Sequence, residues 1–221
     1  MGTRIELTAA DGHRLSAYRA DPGGQPRGLV VVAQEIFGVN SHIRGVCDRF
    51  AEEGWTAVAP ALFDRAERAV ELGYQQPDIQ RGLELRSRIE LDQALADIAA
   101  ARAVEPGLKA AVVGYCWGGL LAWATATRLD GFSAAVSYYG GGIAKLADET
   151  PRCPVMLHFG EQDHAIPLTD VESLRRAHPD LPVHLYAAGH GFNCDQRGSY
   201  DRDAAETALR RTLDFLGTHL G

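Results

Sequence analysis

Ala110-Ala111-Val112-Val113-Gly114-Tyr115-Cys116-Trp117-Gly118-Gly119 is the stretch from which the fold of this chain can be read. An apolar run too continuous for a sheet with one wet face reaches a G-x-C-x-G turn, and the apolar spacing of 119–129 beyond it is helical. A buried strand that turns sharply into a helix is half of a strand–helix–strand crossover, the unit of a parallel sheet. The turn also suits chemistry. Glycines on either side of Cys116 let neighbouring backbone approach without a Cβ in the way. A thiol held there sits at a helix N-terminus, where the dipole and free N–H groups favour thiolate and can hold an oxyanion. The competing reading makes Cys116 a small buried apolar residue and the glycines mere packing aids.

Working outward, further short apolar runs at 28–33, 55–59, 134–138, 154–159 and 183–186 read as strands. Segments with 3.6-residue spacing lie between them at 43–53, 80–104, 169–177 and 202–216. The first two segments, 4–8 and 13–19, flank Ala10-Asp11-Gly12 and read as an antiparallel hairpin. This alternation predicts an α/β fold, an open, doubly wound, mostly parallel sheet with helices on both faces. Ligand chemistry is then expected at the carboxyl ends of the strands.

No repeat or linker divides the 221 residues, so residues 1–221 are expected to form a single domain. With 46% hydrophobic and 23% charged residues the composition is that of an ordinary globular protein. A net charge of -7, with 22 Lys and Arg against 29 Asp and Glu, argues against a nucleic-acid partner. No apolar run approaches the roughly 20 residues of a membrane span, and the opening residues lack a signal-peptide core, which points to the cytoplasm. Cys47, Cys116, Cys153 and Cys194 form no CxxC pair, which fits reduced thiols. No metal is expected, since His158, Asp163, His164 and His190 lack ligand-like spacing. No cofactor is expected either, because neither a P-loop nor a G-x-G-x-x-G is present.

Two loops downstream raise the standing of Cys116. The strand at 154–159 ends in Gly160-Glu161-Gln162-Asp163, and the strand at 183–186 runs into Ala188-Gly189-His190-Gly191-Phe192. Nucleophile, acid and histidine in that order, each after a different strand, is the order of the α/β-hydrolase fold. Thiols of pKa ~8.5 are largely protonated at neutral pH, so His190 would hold the Cys116 proton and later deliver one to the leaving oxygen. Asp163 would fix the imidazole tautomer. The alternatives are a surface His190 and an Asp163 that caps the helix beginning near Pro167.

These segments, with Ala33-Gln34-Glu35-Ile36-Phe37-Gly38-Val39-Asn40 and Tyr138-Tyr139-Gly140, make the chain similar to the dienelactone hydrolase (carboxymethylenebutenolidase) family along nearly its whole length. The resemblance implies a Cys116–His190–Asp163 triad cleaving a small lactone or ester through an acyl-enzyme. It also implies that Glu35 faces the thiol and takes its proton when substrate enters. The fold draws one oxyanion donor from the residue after the nucleophile and one from the loop after the first parallel strand, here the amides of Trp117 and Ile36. Phe37, Trp117, Tyr138 and Tyr139 are expected to line the pocket.

The substrate clamp departs from the family pattern. Family members acting on dienelactone carry an arginine four residues after the histidine, where this chain has Cys194, and a serine where it has Gly191. The second arginine falls near Ile79, which makes Arg81 the expected carboxylate anchor, ahead of Arg86, Arg88 and Arg197. The partner is then a small-molecule ester or lactone. The alternatives are a cysteine-dependent esterase or thioesterase on another acyl group, and a thiol sensor without catalysis.

Overall fold

The computed structural model describes residues 2–221. Eight strands form one mixed sheet in the order β1-β2-β4-β3-β5-β6-β7-β8. β1 (Thr3–Thr8) and β2 (Arg14–Ala20) are the antiparallel hairpin, and β2 also runs antiparallel to β4 (Thr56–Pro60). All other pairings, through β3 (Leu29–Ala33), β5 (Ala110–Tyr115), β6 (Ala134–Tyr138), β7 (Val155–Gly160) and β8 (Val183–Tyr186), are parallel. Every residue of β3, β4, β5, β6 and β7 is buried, which is why these strands read as unbroken apolar runs.

Helices supply that cover. α1 (Ser41–Glu52) packs on β2, β3 and β4, and the C-terminal helix α6 (Arg202–Leu220) on β5, β6 and β7. α3 (Leu91–Arg102) packs on β1, β3 and β4, α4 (Trp117–Arg128) packs on β3, β5 and β6, and the two helices pack on each other. α5 (Leu168–Ala177) follows β7. The expected open, mostly parallel sheet is the one observed.

One expected element differs. The segment 80–104 is two helices, α2 (Gln76–Ser87) and α3, because Glu90 starts a new helix with its amide donating to Gln93 Oε1 at 3.0 Å. Periodicity alone runs through such a break, since both helices keep apolar residues at helical spacing. α3 joins the sheet cover. α2 buries only Gly82 and Leu85, and an added Cβ at Gly82 would stand 2.0 Å from the Ile36 carbonyl oxygen. The break therefore lets α2 leave the sheet and lie over the carboxyl end of β3.

Candidate active site

Cys116 stands between β5 and α4 with φ 54° and ψ −113°, a strained combination for a residue with a Cβ. The strain is held from both sides. The Cys116 amide donates to the Tyr138 carbonyl at 3.0 Å, and its own carbonyl accepts from Gly119 at 2.9 Å. A Cβ at Gly114 would lie 1.8 Å from the Gly118 oxygen, and one at Gly118 would lie 2.1 Å from the Ala33 oxygen. Neither backbone can give way, so only glycine permits the turn and its contact with the end of β3.

That contact aligns the loop after β3 with the start of α4. Ile36 and Trp117 both line one cleft, and the Trp117 amide is in the first turn of α4, where it has no intrahelical acceptor. Gln34 fixes the loop, accepting from the Leu62 amide at 3.1 Å. Asn40 closes it, capping α1 at Ile43 and donating to Tyr74 Oη at 3.0 Å.

His190 Nδ1 is 2.7 Å from Asp163 Oδ2, and Asp163 Oδ1 accepts from the amides of Ala165 and Ile166 at 2.8 and 3.1 Å. Asp163 thus holds its own loop as well as the imidazole. Asp163 does not cap the helix that follows: α5 begins at Leu168 after Pro167 with no side-chain cap, and the amides that Asp163 accepts belong to the loop before it. Burial opposes charge on His190, but hydrogen bonds to Asp163 and to Cys116 outweigh it and raise its pKa from 6.5 to about 10. The Tyr139 ring packs against this imidazole at 5.1 Å.

Cys116 and His190 open into a cleft of about 410 Å³ lined also by Ile36, Phe37, Trp117 and Arg197. Ile79, Leu83 and Arg86 of α2 form its roof. Cleft size and its apolar walls suit a small ligand.

Three sequence expectations are corrected here. Arg81 lies outside the cleft lining, held on the surface by Glu67 and Glu84, because helical spacing turns Ile79, Leu83 and Arg86 inward and Arg81 away. Tyr138 is fully buried, its hydroxyl 2.6 Å from Thr212 Oγ1, and belongs to the core beneath the site. Tyr139 is likewise buried and outside the lining, and packs against the His190 ring.

Glu35 is wholly buried at the end of β3. Its Oε1 is 3.3 Å from Arg197 Nη1, while Oε2 finds no hydrogen-bond partner among the described residues. Arg197 also packs over Phe37 and Tyr74, and the charge of Glu35 acts on it. Sequence reasoning ranked Arg197 low. No pattern of residue types marked it; at Gly191, with φ 78°, a Cβ would be 2.5 Å from Arg197 Nη1, so glycine clears the path by which Arg197 enters. Arg197 thus reaches the cleft across the space left at Gly191. His42 and Cys194, which sequence reasoning gave no role, border Glu35.

Comparison with known proteins agrees with this architecture. The sequence profile of the dienelactone hydrolase family matches residues 15–220. A carboxymethylenebutenolidase of Pseudomonas putida is 33% identical, over 96% of this chain and 94% of its own. A Synechocystis protein provisionally described as a carboxymethylenebutenolidase is 34% identical, over 94% of this chain and 93% of its own. A crystal structure from Klebsiella pneumoniae, provisionally described as a dienelactone hydrolase, superposes with a TM-score of 0.84 at 30% identity, covering 96% of this chain and 98% of that one. Among the described residues no helix is long and apolar enough to cross a membrane.

Proposed function

The chain belongs to the dienelactone hydrolase family, and from that membership we propose that it hydrolyses a small lactone or ester bearing a carboxylate, with Cys116 as nucleophile. The observation that carries this reading is the placing of a strained Cys116 beside a His190 whose other ring nitrogen is 2.7 Å from Asp163.

Binding starts with the substrate carboxylate at Arg197, with Arg86 the second cation of the cleft. An incoming anion competes for Arg197, which frees Glu35 to take the thiol proton. The thiolate then attacks the carbonyl carbon. The new S–C bond pushes charge onto the carbonyl oxygen, which the Ile36 and Trp117 amides receive. As the C–O bond to the leaving group breaks, imidazolium His190 protonates that oxygen, and a thioester remains on Cys116. Water attacks the thioester as His190 takes its proton. The C–S bond breaks, the carboxylic acid leaves, and Glu35 returns its proton to the Cys116 thiolate, which restores the resting thiol and carboxylate. Asp163 keeps Nε2 of His190 aimed at the reacting atoms and stabilises its cation.

The test is turnover of a panel of lactones and aryl esters, with and without a carboxylate, by wild type and Cys116→Ser. Wild type should form a thioester adduct detectable by intact mass, and Cys116→Ser should lose at least about 10³-fold in kcat, as triad nucleophiles do. Undiminished turnover by Cys116→Ser would rule out the thiol as nucleophile.

A further inference from the structure

On the inner side of the cleft, Glu35, His42 and Cys194 converge. One donor atom from each lies within 4.8 Å of the others, and all three residues are buried. Glu35 Oε2 and His42 Nε2 find no hydrogen-bond partner among the described residues, which is costly for enclosed polar atoms. His42 Nδ1 faces Asp195 Oδ1 at 3.5 Å, which leaves Nε2 as the nitrogen for the cluster. Burial lowers the pKa of His42 and so keeps its lone pair available.

A neutral imidazole, a carboxylate oxygen and a thiol are the donors that zinc selects. With bonds of ~2.0–2.3 Å, donors around tetrahedral zinc are separated by about 3.3–3.7 Å, so three donor atoms that already lie within 4.8 Å of one another need only a small approach to share one ion. A second recess, lined by Ser41, His42, Arg49, Asn193 and Asp195 and distinct from the substrate cleft, borders His42 and brings solvent to that side of the cluster. We propose that Glu35, His42 and Cys194 form a binding site for zinc or a similar thiophilic divalent cation. On binding, the Cys194 proton passes to solvent, a Zn–S bond forms, and no oxidation occurs. Thiolate and carboxylate balance the dication, and Arg197 keeps the other Glu35 oxygen.

Zinc here occupies the carboxylate assigned above as proton acceptor, so it should inhibit hydrolysis reversibly. That consequence rests on the proposed mechanism; the binding does not. ZnCl2 and CoCl2 are titrated into Cys116→Ser protein, which lacks the cleft thiol, and into the same background with Cys194→Ala or His42→Gln, thermal melts confirming folding. The background should bind one zinc per chain and give a cobalt complex with a thiolate charge-transfer band. Each added substitution should weaken binding by at least about 10–100-fold, the loss that follows even from removing an outer partner. Absence of zinc uptake by the folded background protein would overturn the site. So would uptake indifferent to both substitutions, or a cobalt complex without the thiolate band. With Cys116 intact, Cys194→Ala should hydrolyse esters at the wild-type rate and escape zinc inhibition. Zinc that binds through His42 and Cys194 without slowing hydrolysis would uphold the site and remove Glu35 from the mechanism.

Discussion

Arg197 Nη1 meets Glu35 Oε1 at 3.3 Å where Glu35 is wholly enclosed and the arginine side chain is 17% exposed. The two residues are 162 positions apart, joined by the way the loop after β8 folds back over the end of β3. An enclosed carboxylate needs such a partner, because an unpaired buried charge is expensive. The same guanidinium borders the cleft, so it serves the carboxylate at rest and is available to a substrate anion.

Arg197→Ala should therefore act twice. Leaving Glu35 without its partner should destabilise the fold by about 3–5 kcal/mol, seen as a lower urea midpoint. For carboxylate-bearing esters kcat/KM should fall by at least about tenfold more than for neutral esters, chiefly through KM. Equal losses on both classes would remove Arg197 as the anchor.

Gly191→Ser tests the path of that arginine. The new Cβ would stand 2.5 Å from Arg197 Nη1, and the arginine tip must yield since it is the flexible partner. Strain at φ 78° should cost about 1–2 kcal/mol, but strain alone does not discriminate between substrates. A reduced preference for acidic over neutral esters is the expected result, and an unchanged preference would show that Arg197 does not depend on this gap.

Glu35→Gln removes the negative charge that disfavours thiolate and leaves Arg197 facing the sulfur. Alkylation by iodoacetamide at neutral pH should quicken, while kcat on esters should drop by about 10²–10⁴-fold for loss of a positioned proton acceptor. Turnover equal to wild type would make Glu35 a structural partner of Arg197 alone.

His190 sets a pH dependence. Its pKa is raised on folding from 6.5 to about 10, so its contribution to stability is complete below 6.5 and is lost as pH climbs through about 10. The difference in Tm between wild type and His190→Gln should be widest near about pH 6 and should close toward about pH 10. A difference that stays flat over this range would mean that Asp163 and Cys116 do not hold the imidazole as a cation.

What was legible in the sequence is local. Steric rules make Gly114 and Gly118 necessary around a strained Cys116, and enclosure on both faces makes β3 and β5 uninterrupted apolar runs. Strand order along the chain places the loops of Asp163 and His190 at the same sheet edge as Cys116, since all three follow parallel strands. The sheet, the elbow and the order of the three residues could thus be read from short windows. The end of α2 at Ser87 could not, because apolar spacing continues across the break and only the Glu90 cap interrupts it.

By itself the sequence determined the α/β fold and the candidate residues Cys116, Asp163 and His190, because backbone conformation and burial periodicity act over a few neighbouring positions; Glu35 became a candidate through the family resemblance. Tertiary structure alone decided that Arg197, not Arg81, faces the cleft, and that Glu35 shares its enclosure with His42 and Cys194. Those outcomes are distances between side chains from opposite ends of the chain. They depend on helix rotation, on the α2–α3 break and on one missing Cβ at Gly191, none of which a pattern of residue types specifies.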